Sequence, residues 1–330
     1  MQKESNNRIL RYVAIILTAI ILVTSILIVI NVIERRQSIF TGEQPEANSA
    51  ELIYKGKTYI KKDNIETMLV LGLDKLQDTD EEIASYNNDK QADFIMLFVI
   101  DNENSTCNAI HINRDTMTRI NVLGVAGNKV GTVNKQIALS HTYGNGKEVS
   151  CRNAADAVSG LLLGAKVNHF ASVTMDAVPV FNDLVGGVEL EVLDDFSGVD
   201  DTLIKGQTQK LMGKQVLNYV RTRYGLEDST NNTRMIRQRQ YIKALYETTR
   251  ECIKNDNKFV ANASIKMSEY IVSDCSANKL EAIFKKISSH EFLNIYDIKG
   301  ESVKGEKFME FYPDSDSLEK LVIDVFYKEK

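Results

Sequence analysis

The apolar residues of this chain change spacing along its length, and each spacing predicts a different element. The run 12–33, YVAIILTAIILVTSILIVINVI, carries no charge. As a helix it is just long enough to cross about 30 Å of hydrocarbon, so it predicts a single transmembrane helix. Further on, the apolar runs shorten to MLVLGL (68–73), ADFIMLFVID (92–101) and TCNAIHI (106–112), too short for helices by themselves and rich in strand formers. The turn Asp101-Asn102-Glu103-Asn104 makes the last two an antiparallel pair. Helical spacing appears over 132–143 and 147–163, with Gly144 and Gly164 as stops. It returns at 176–184, from 232 to about 253, at 257–271 and 277–288, and from Ser315 onward. Strands are predicted at 169–175, at 188–192 after the Gly186-Gly187 turn, at 292–298 and at 308–312. Strands alternating with helices imply a layered α/β domain.

The polar stretch 34–64, with Gly42, Pro45 and Asn48 ahead of a hairpin-like YKGKTYIKK, reads as a stalk, which puts the main domain at 65–330. The acidic segment 75–90 reads as a loop or short helix. Lys3, Arg8 and Arg11 precede the apolar run and Arg35 and Arg36 follow it, a modest preference for residues 1–11 in the cytoplasm. A cleaved signal peptide would need a small-x-small site, which 31–37 lacks. Everything after Glu34 is then extracytoplasmic, on a single-pass anchor in the cell membrane, which disfavours nucleic acid as a partner. In that compartment the four cysteines, Cys107, Cys151, Cys252 and Cys275, are permitted disulfides by their even count. Their spacing matches no zinc motif, and the reading preferred is free, mostly buried thiols.

Charge then singles out one segment. Formal net charge is -5, yet Leu217–Tyr241 packs in five arginines. If 219–223 is extended, Arg221 and Arg223 project to the same side and can grip one anion. From Asn232 the pattern is helical, with Arg234, Arg237, Gln238 and Tyr241 on one face near a helix start. Guanidinium forks match phosphate oxygens and a helix start adds N–H donors; the competing reading is a solvated basic face. The carboxylates Asp74, Asp93 and Asp115 fall at strand ends, and the hairpin brings Asp93 to the edge where Arg114 and Asp115 lie. Two carboxylates and a diphosphate suit Mg2+ or Mn2+, which prefer oxygen ligands. The alternatives are a turn or cap for Asp74 and a structural ion pair for Arg114–Asp115. His111, His141, His169 and His290 lie in no zinc-hydrolase pattern and read as structural or surface residues. No GxGxxG or Walker loop is present.

LVLGLD ending at Asp74, ADFIMLFVID…INRDT, FNDLVGGVELEV and YVRTR…RMIRQRQY occur in an order and spacing that resembles the LytR-CpsA-Psr family of bacterial cell-wall proteins. The resemblance implies a central mixed β-sheet flanked by helices behind one N-terminal anchor. It also implies a phosphotransferase moving a glycopolymer, such as teichoic acid or capsular polysaccharide, from a polyprenyl-diphosphate carrier to peptidoglycan. In that pattern Asp74 and Asp93 hold magnesium, Arg114, Arg221, Arg223 and Arg234 hold the diphosphate with Gln238 beside them, and an apolar cavity takes the lipid tail. Two positions depart from it: Gln91 stands where an arginine is common, and Asn231 where a candidate base is common. Asp228, three residues earlier, is then the expected base, since Asp115 beside Arg114 is expected to have a lowered pKa. The rival readings are a non-catalytic binder or regulator of polyprenyl phosphates or wall polymers, and a diphosphatase that uses water as acceptor.

Overall fold

A computed structural model describes residues 51–74, 90–223 and 231–330. The run 12–33, residues 34–50, most of the acidic segment and Asp228 lie outside them; among the described residues no helix is long and apolar enough to cross a membrane.

The chain begins with the hairpin β1 (Glu51–Tyr54) and β2 (Lys57–Lys61), then β3 (Ile65–Leu73), β4 (Ala92–Asp101), β5 (Thr106–Ile112), β6 (Met117–Leu123) and β7 (Lys129–Gln136). A short 310 helix, Ile137–Thr142, leads to α1 (Glu148–Leu161), β8 (His169–Thr174), α2 (Ala177–Leu184), β9 (Val188–Glu191), β10 (Thr208–Leu211) and α3 (Lys214–Arg221). The long α4 (Asn231–Asn255) is followed by α5 (Phe259–Met267), β11 (Ile271–Ser273) and α6 (Ala277–Ser289). The chain closes with β12 (Glu291–Asp297), β13 (Gly300–Lys304), β14 (Met309–Pro313), α7 (Ser315–Phe326) and β15 (Tyr327–Glu329).

The central sheet runs β11-β8-β3-β4-β5-β12 and is mixed: β3 pairs antiparallel with β4 and parallel with β8, while β5 pairs antiparallel with β4 and parallel with β12. Alternation along β3 divides its side chains between two faces. Leu69, Leu71 and Leu73 turn with Ile95, Leu97, Val99 and Ile110 into a core closed by α1 and α7. Met68, Val70 and Gly72 face the other way, toward α2, α4, α5 and α6. There a Cβ on Gly72 would meet the Phe94 Cβ at 2.8 Å, so the register shift between Gly72 and Leu73 requires glycine. Gly187 (φ 90) likewise lets β9 start against β10, where a Cβ would lie 2.2 Å from the Met212 sulfur.

Two expectations are corrected. Residues 132–143 are not one helix: β7 pairs with β6 as a two-stranded ribbon, and only 137–142 coil, as 310. β7 is open to solvent along most of its length, so its residues never show a clean alternation of apolar and polar positions. Folded structure is also present before residue 65. The β1–β2 hairpin pairs with β15, and Leu52, Tyr54 and Tyr59 pack on the large core.

Candidate anion site at the sheet end

Register places the carboxylates. Leu73 is paired with Ala92, so Asp74 and Asp93 follow their partners at one end of β3–β4, and Ile112 opposite Ile95 delivers Asn113, Arg114 and Asp115 to the same end. Arg114 bridges the group: its guanidinium pairs with Asp93, donates to Oε1 of the Gln91 side chain and lies 3.5 Å from Asp115. Asp74, exposed, pairs with Arg221. Asp74 and Asp93 thus each meet a guanidinium. Both carboxylates stand at one sheet end and offer only oxygen donors, the kind a hard divalent cation takes, and in this structure a guanidinium occupies each.

The arginines reach this point differently from expectation. The stretch 219–223 is not extended: Val216, Tyr219 and Val220 are buried at helical spacing, α3 runs through Arg221, and only Thr222 opens the chain (φ -60, ψ 132). Arg221 and Arg223 therefore diverge, Arg221 to Asp74 and Arg223 to the field of Asp115 and Arg234. Arg234, 6% exposed, donates to Asn231 at 2.6 Å and is held down to about 10 by burial, with Arg114 and Arg223 repelling its charge. Three guanidiniums lie within reach of one another's charge here, with Asp115 as the carboxylate among them, an arrangement whose chemistry suits an anion.

Arg237 does not join that anion-gripping face. It is 1% exposed, pairs with Asp194 at 2.9 Å, donates to the carbonyls of Tyr219 and Thr222, and stacks over Phe196. Its task is to fasten the end of α3 to α4 and so aim Arg221 and Arg223. Gln238 helps by donating to the Val220 carbonyl at 3.1 Å.

Asp115 also departs from expectation. Its carboxyl is raised, not lowered, because burial outweighs the attraction of Arg114, Arg223 and Arg234. Gln136 donates to it at 3.0 Å and to the Met309 carbonyl at 2.7 Å, a link from the end of β7 to β14 that no pattern along the chain signals. Asn231 cannot act as a base and is engaged: it accepts from Arg234 and donates to Asn113 at 2.6 Å. His111, neutral and pushed down to about 3 by burial, stacks near Phe94 beneath this cluster. His141 donates to the Lys90 carbonyl at 2.8 Å, pinning the approach to Gln91 and Asp93. All four cysteines are free, Cys107 and Cys151 buried, the thiols of both pushed up by burial.

Behind the charged end lies a cavity of about 620 Å³ between the sheet and α2, α4, α5 and α6. Its wall is almost wholly apolar, including Phe98, Val173, Phe181, Tyr241, Leu245 and Ile283. Gly72, Phe94, Val220 and Gln238 also line it, each within a turn or two residues of Asp74, Asp93, Arg221 or Arg234. An apolar chamber therefore abuts a cluster of guanidiniums and carboxylates.

Three comparisons bear on this arrangement. "Cell wall biosynthesis protein LcpA" of Corynebacterium glutamicum is 28% identical over 210 residues, 56% of this chain and 39% of that protein, so the chain spans about two-fifths of the relative's length. The crystal structure of Bacillus subtilis TagV superposes with a TM-score of 0.57 at 22% identity, covering 80% of this chain and 96% of TagV. TagT bound to LI-WTA gives 0.60 at 16%, over 86% and 96% of the two chains. These likenesses agree in fold with the mixed sheet and flanking helices described above. The LytR_cpsA_psr family matches residues 29–322, nearly the whole chain and all of the charged sheet end, and this chain belongs to that family.

Proposed function

We propose that this protein is an extracytoplasmic phosphotransferase that moves a wall glycopolymer from a polyprenyl-diphosphate carrier to peptidoglycan, anchored by a helix over 12–33. The observation that carries the reading is the apolar cavity whose wall reaches Gly72, Phe94, Val220 and Gln238, chain neighbours of Asp74, Asp93, Arg221 and Arg234, since a diphosphate lipid is an anion joined to a hydrocarbon tail. Members of the family act in cell-wall glycopolymer transfer, and the TagT structure was solved with a wall-polymer ligand.

In this reading the tail occupies the cavity and the diphosphate lies on Arg114, Arg221, Arg223 and Arg234, with Gln238 at the junction. Asp74 and Asp93 would hold Mg2+ or Mn2+, which when bound supplies charge neutralisation on the phosphate oxygens. An acceptor hydroxyl of peptidoglycan forms a bond to the phosphorus that carries the glycan. The bond from that phosphorus to the bridging oxygen breaks, and polyprenyl monophosphate leaves. Arginines stabilise the charge that collects on the leaving group. The hydroxyl proton passes to a carboxylate, for which Asp228 is the first candidate. Asp115 is the second, because its raised carboxyl makes it a better base than an ordinary ion-paired aspartate.

One observation favours a second reading. Asn231 is locked into an amide chain with Asn113 and Arg234, and a site without a base can bind a lipid diphosphate without turning it over. Incubating the full-length chain with polyprenyl-diphosphate glycan, magnesium and peptidoglycan fragments separates the readings by mass spectrometry. Joined product supports transfer, released glycan phosphate indicates a diphosphatase, and tight binding with neither product indicates a binding protein.

A further inference from the structure

At the far end of β3 and β8 from the anion site, three side chains of different chemistry converge. His169 opens β8, and Asp274 and Cys275 follow the edge strand β11, whose register against β8 (Ser273 opposite Ala171) brings them beside Phe170 and His169. Asp274 Oδ1 lies 3.9 Å from His169 Nδ1 and 3.7 Å from Cys275 Sγ, and all three ligand atoms lie within 4.8 Å of one another. Zinc holds sulfur at about 2.3 Å and nitrogen or oxygen at about 2.0–2.2 Å in a tetrahedron, which sets its ligand atoms about 3.3–3.6 Å apart. The His169–Asp274 and Asp274–Cys275 separations need to close by only a few tenths of an ångström, and the His169–Cys275 separation by at most about 1.5 Å, within reach of side-chain rotation.

The surroundings are those of a metal-binding histidine. Glu66 Oε1 lies 3.7 Å from His169 Nε2, so the ring can give its second N–H to a carboxylate while Nδ1 turns to the ion. Glu66 is itself held by Lys279 at 2.5 Å and Lys286 at 2.7 Å. The outer oxygen of Asp274 takes Arg152 at 3.0 Å and the inner one accepts from Phe170 N–H at 3.0 Å, which fixes the carboxylate and leaves Oδ1 facing His169 and Cys275. His169 and Cys275 are partly buried, open enough for an ion to enter.

We propose that His169, Asp274 and Cys275 form a zinc site with one coordination position left for water, stapling β11 and the start of α6 to β8. A thiolate, an imidazole and a carboxylate together select a borderline-soft ion of tetrahedral habit over magnesium. On binding, the Cys275 thiol proton leaves to solvent and a sulfur–zinc bond takes its place. The site is independent of the transferase reading, because none of its residues belongs to the anion cluster. Cys275 and Ser273 do line the cavity, so the staple steadies the cavity's far end.

The test uses the purified full-length chain kept reduced with a phosphine. Zinc is titrated against a chromophoric chelator, and cobalt is substituted to read thiolate-to-metal absorption. One zinc per chain is expected, together with a thiolate–cobalt band that vanishes in Cys275→Ser. Cys275→Ser and His169→Gln each weaken zinc by more than about 100-fold, and Glu66→Gln by about 10–100-fold, the range for an outer partner. Thermal melting of the metal-free variants checks that they fold, and Cys252→Ser, remote from the site, keeps parental affinity. A cobalt complex without the thiolate band overturns the proposal, since a carboxylate site such as Asp74–Asp93 gives none. Parental zinc affinity in folded Cys275→Ser overturns it equally.

Discussion

Arg234 and Arg237 are both buried, stand one turn apart on α4, and are expected to answer substitution in opposite ways. Arg237 is paired with Asp194 and two backbone carbonyls, so Arg237→Met strands a half-buried carboxylate and two acceptors and costs about 2–4 kcal/mol. Arg234 stands among Arg114 and Arg223. Its fall from the ordinary arginine range to about 10 means that the fold disfavours its charged form by about 3 kcal/mol. Against this, Arg234→Met loses one charged hydrogen bond, to Asn231, worth about 1.5–3 kcal/mol. The first effect offsets much of the second, so Arg234→Met should cost clearly less stability than Arg237→Met in urea unfolding at pH 7. Its affinity for pyrophosphate with magnesium, by calorimetry, should fall by about 10–150-fold, the loss of one charged hydrogen bond. If Arg234→Met is as destabilised as Arg237→Met and still binds pyrophosphate like the parent, Arg234 is a structural residue and the anion reading of this cluster fails.

Asp93→Asn should keep the fold but lose magnesium-dependent transfer, because an amide is a weaker ligand than a carboxylate; equal parental activity with and without chelator removes the metal from the reading. Asp115, raised in the folded state, contributes stability that is complete below the ordinary aspartate range and is lost as pH rises through its folded value. Asp115→Asn should therefore gain on the parent between pH 4 and pH 7 in urea unfolding, and a variant that loses ground over that window contradicts the burial argument. Ala263→Phe, placed in the cavity wall, should weaken a long polyprenyl diphosphate while leaving pyrophosphate unchanged, and equal effects on both would separate the cavity from the lipid tail. Asp228→Asn should lower turnover far more than lipid binding, with partial recovery on adding Asn231→Asp; parental turnover passes the role of base to Asp115.

Features legible along the chain are local or periodic. The alternation in MLVLGL and ADFIMLFVID dictated two-faced strands, because a pleated strand sends neighbouring side chains to opposite sides. The turn at 101–104 then sufficed to bring Asp93 to Arg114. The family motifs, short but ordered, placed Asp74, Arg221, Arg223, Arg234 and Gln238 in one neighbourhood without saying how each was oriented. Helical spacing of Val216, Tyr219 and Val220 was already legible and contradicts an extended 219–223. The tertiary structure decided whatever depends on partners distant in the chain. Arg237 is a strut and Arg234 is not, because Asp194 and the α3 carbonyls approach only one of them. Asp115 is raised because three-dimensional burial outweighs its sequence neighbour Arg114. The 117–136 ribbon formed because β6 offered hydrogen bonds that the spacing within 132–143 could not announce. His169 meets Cys275 only because β11 pairs with β8, more than a hundred residues away, and no spacing along the chain records that contact.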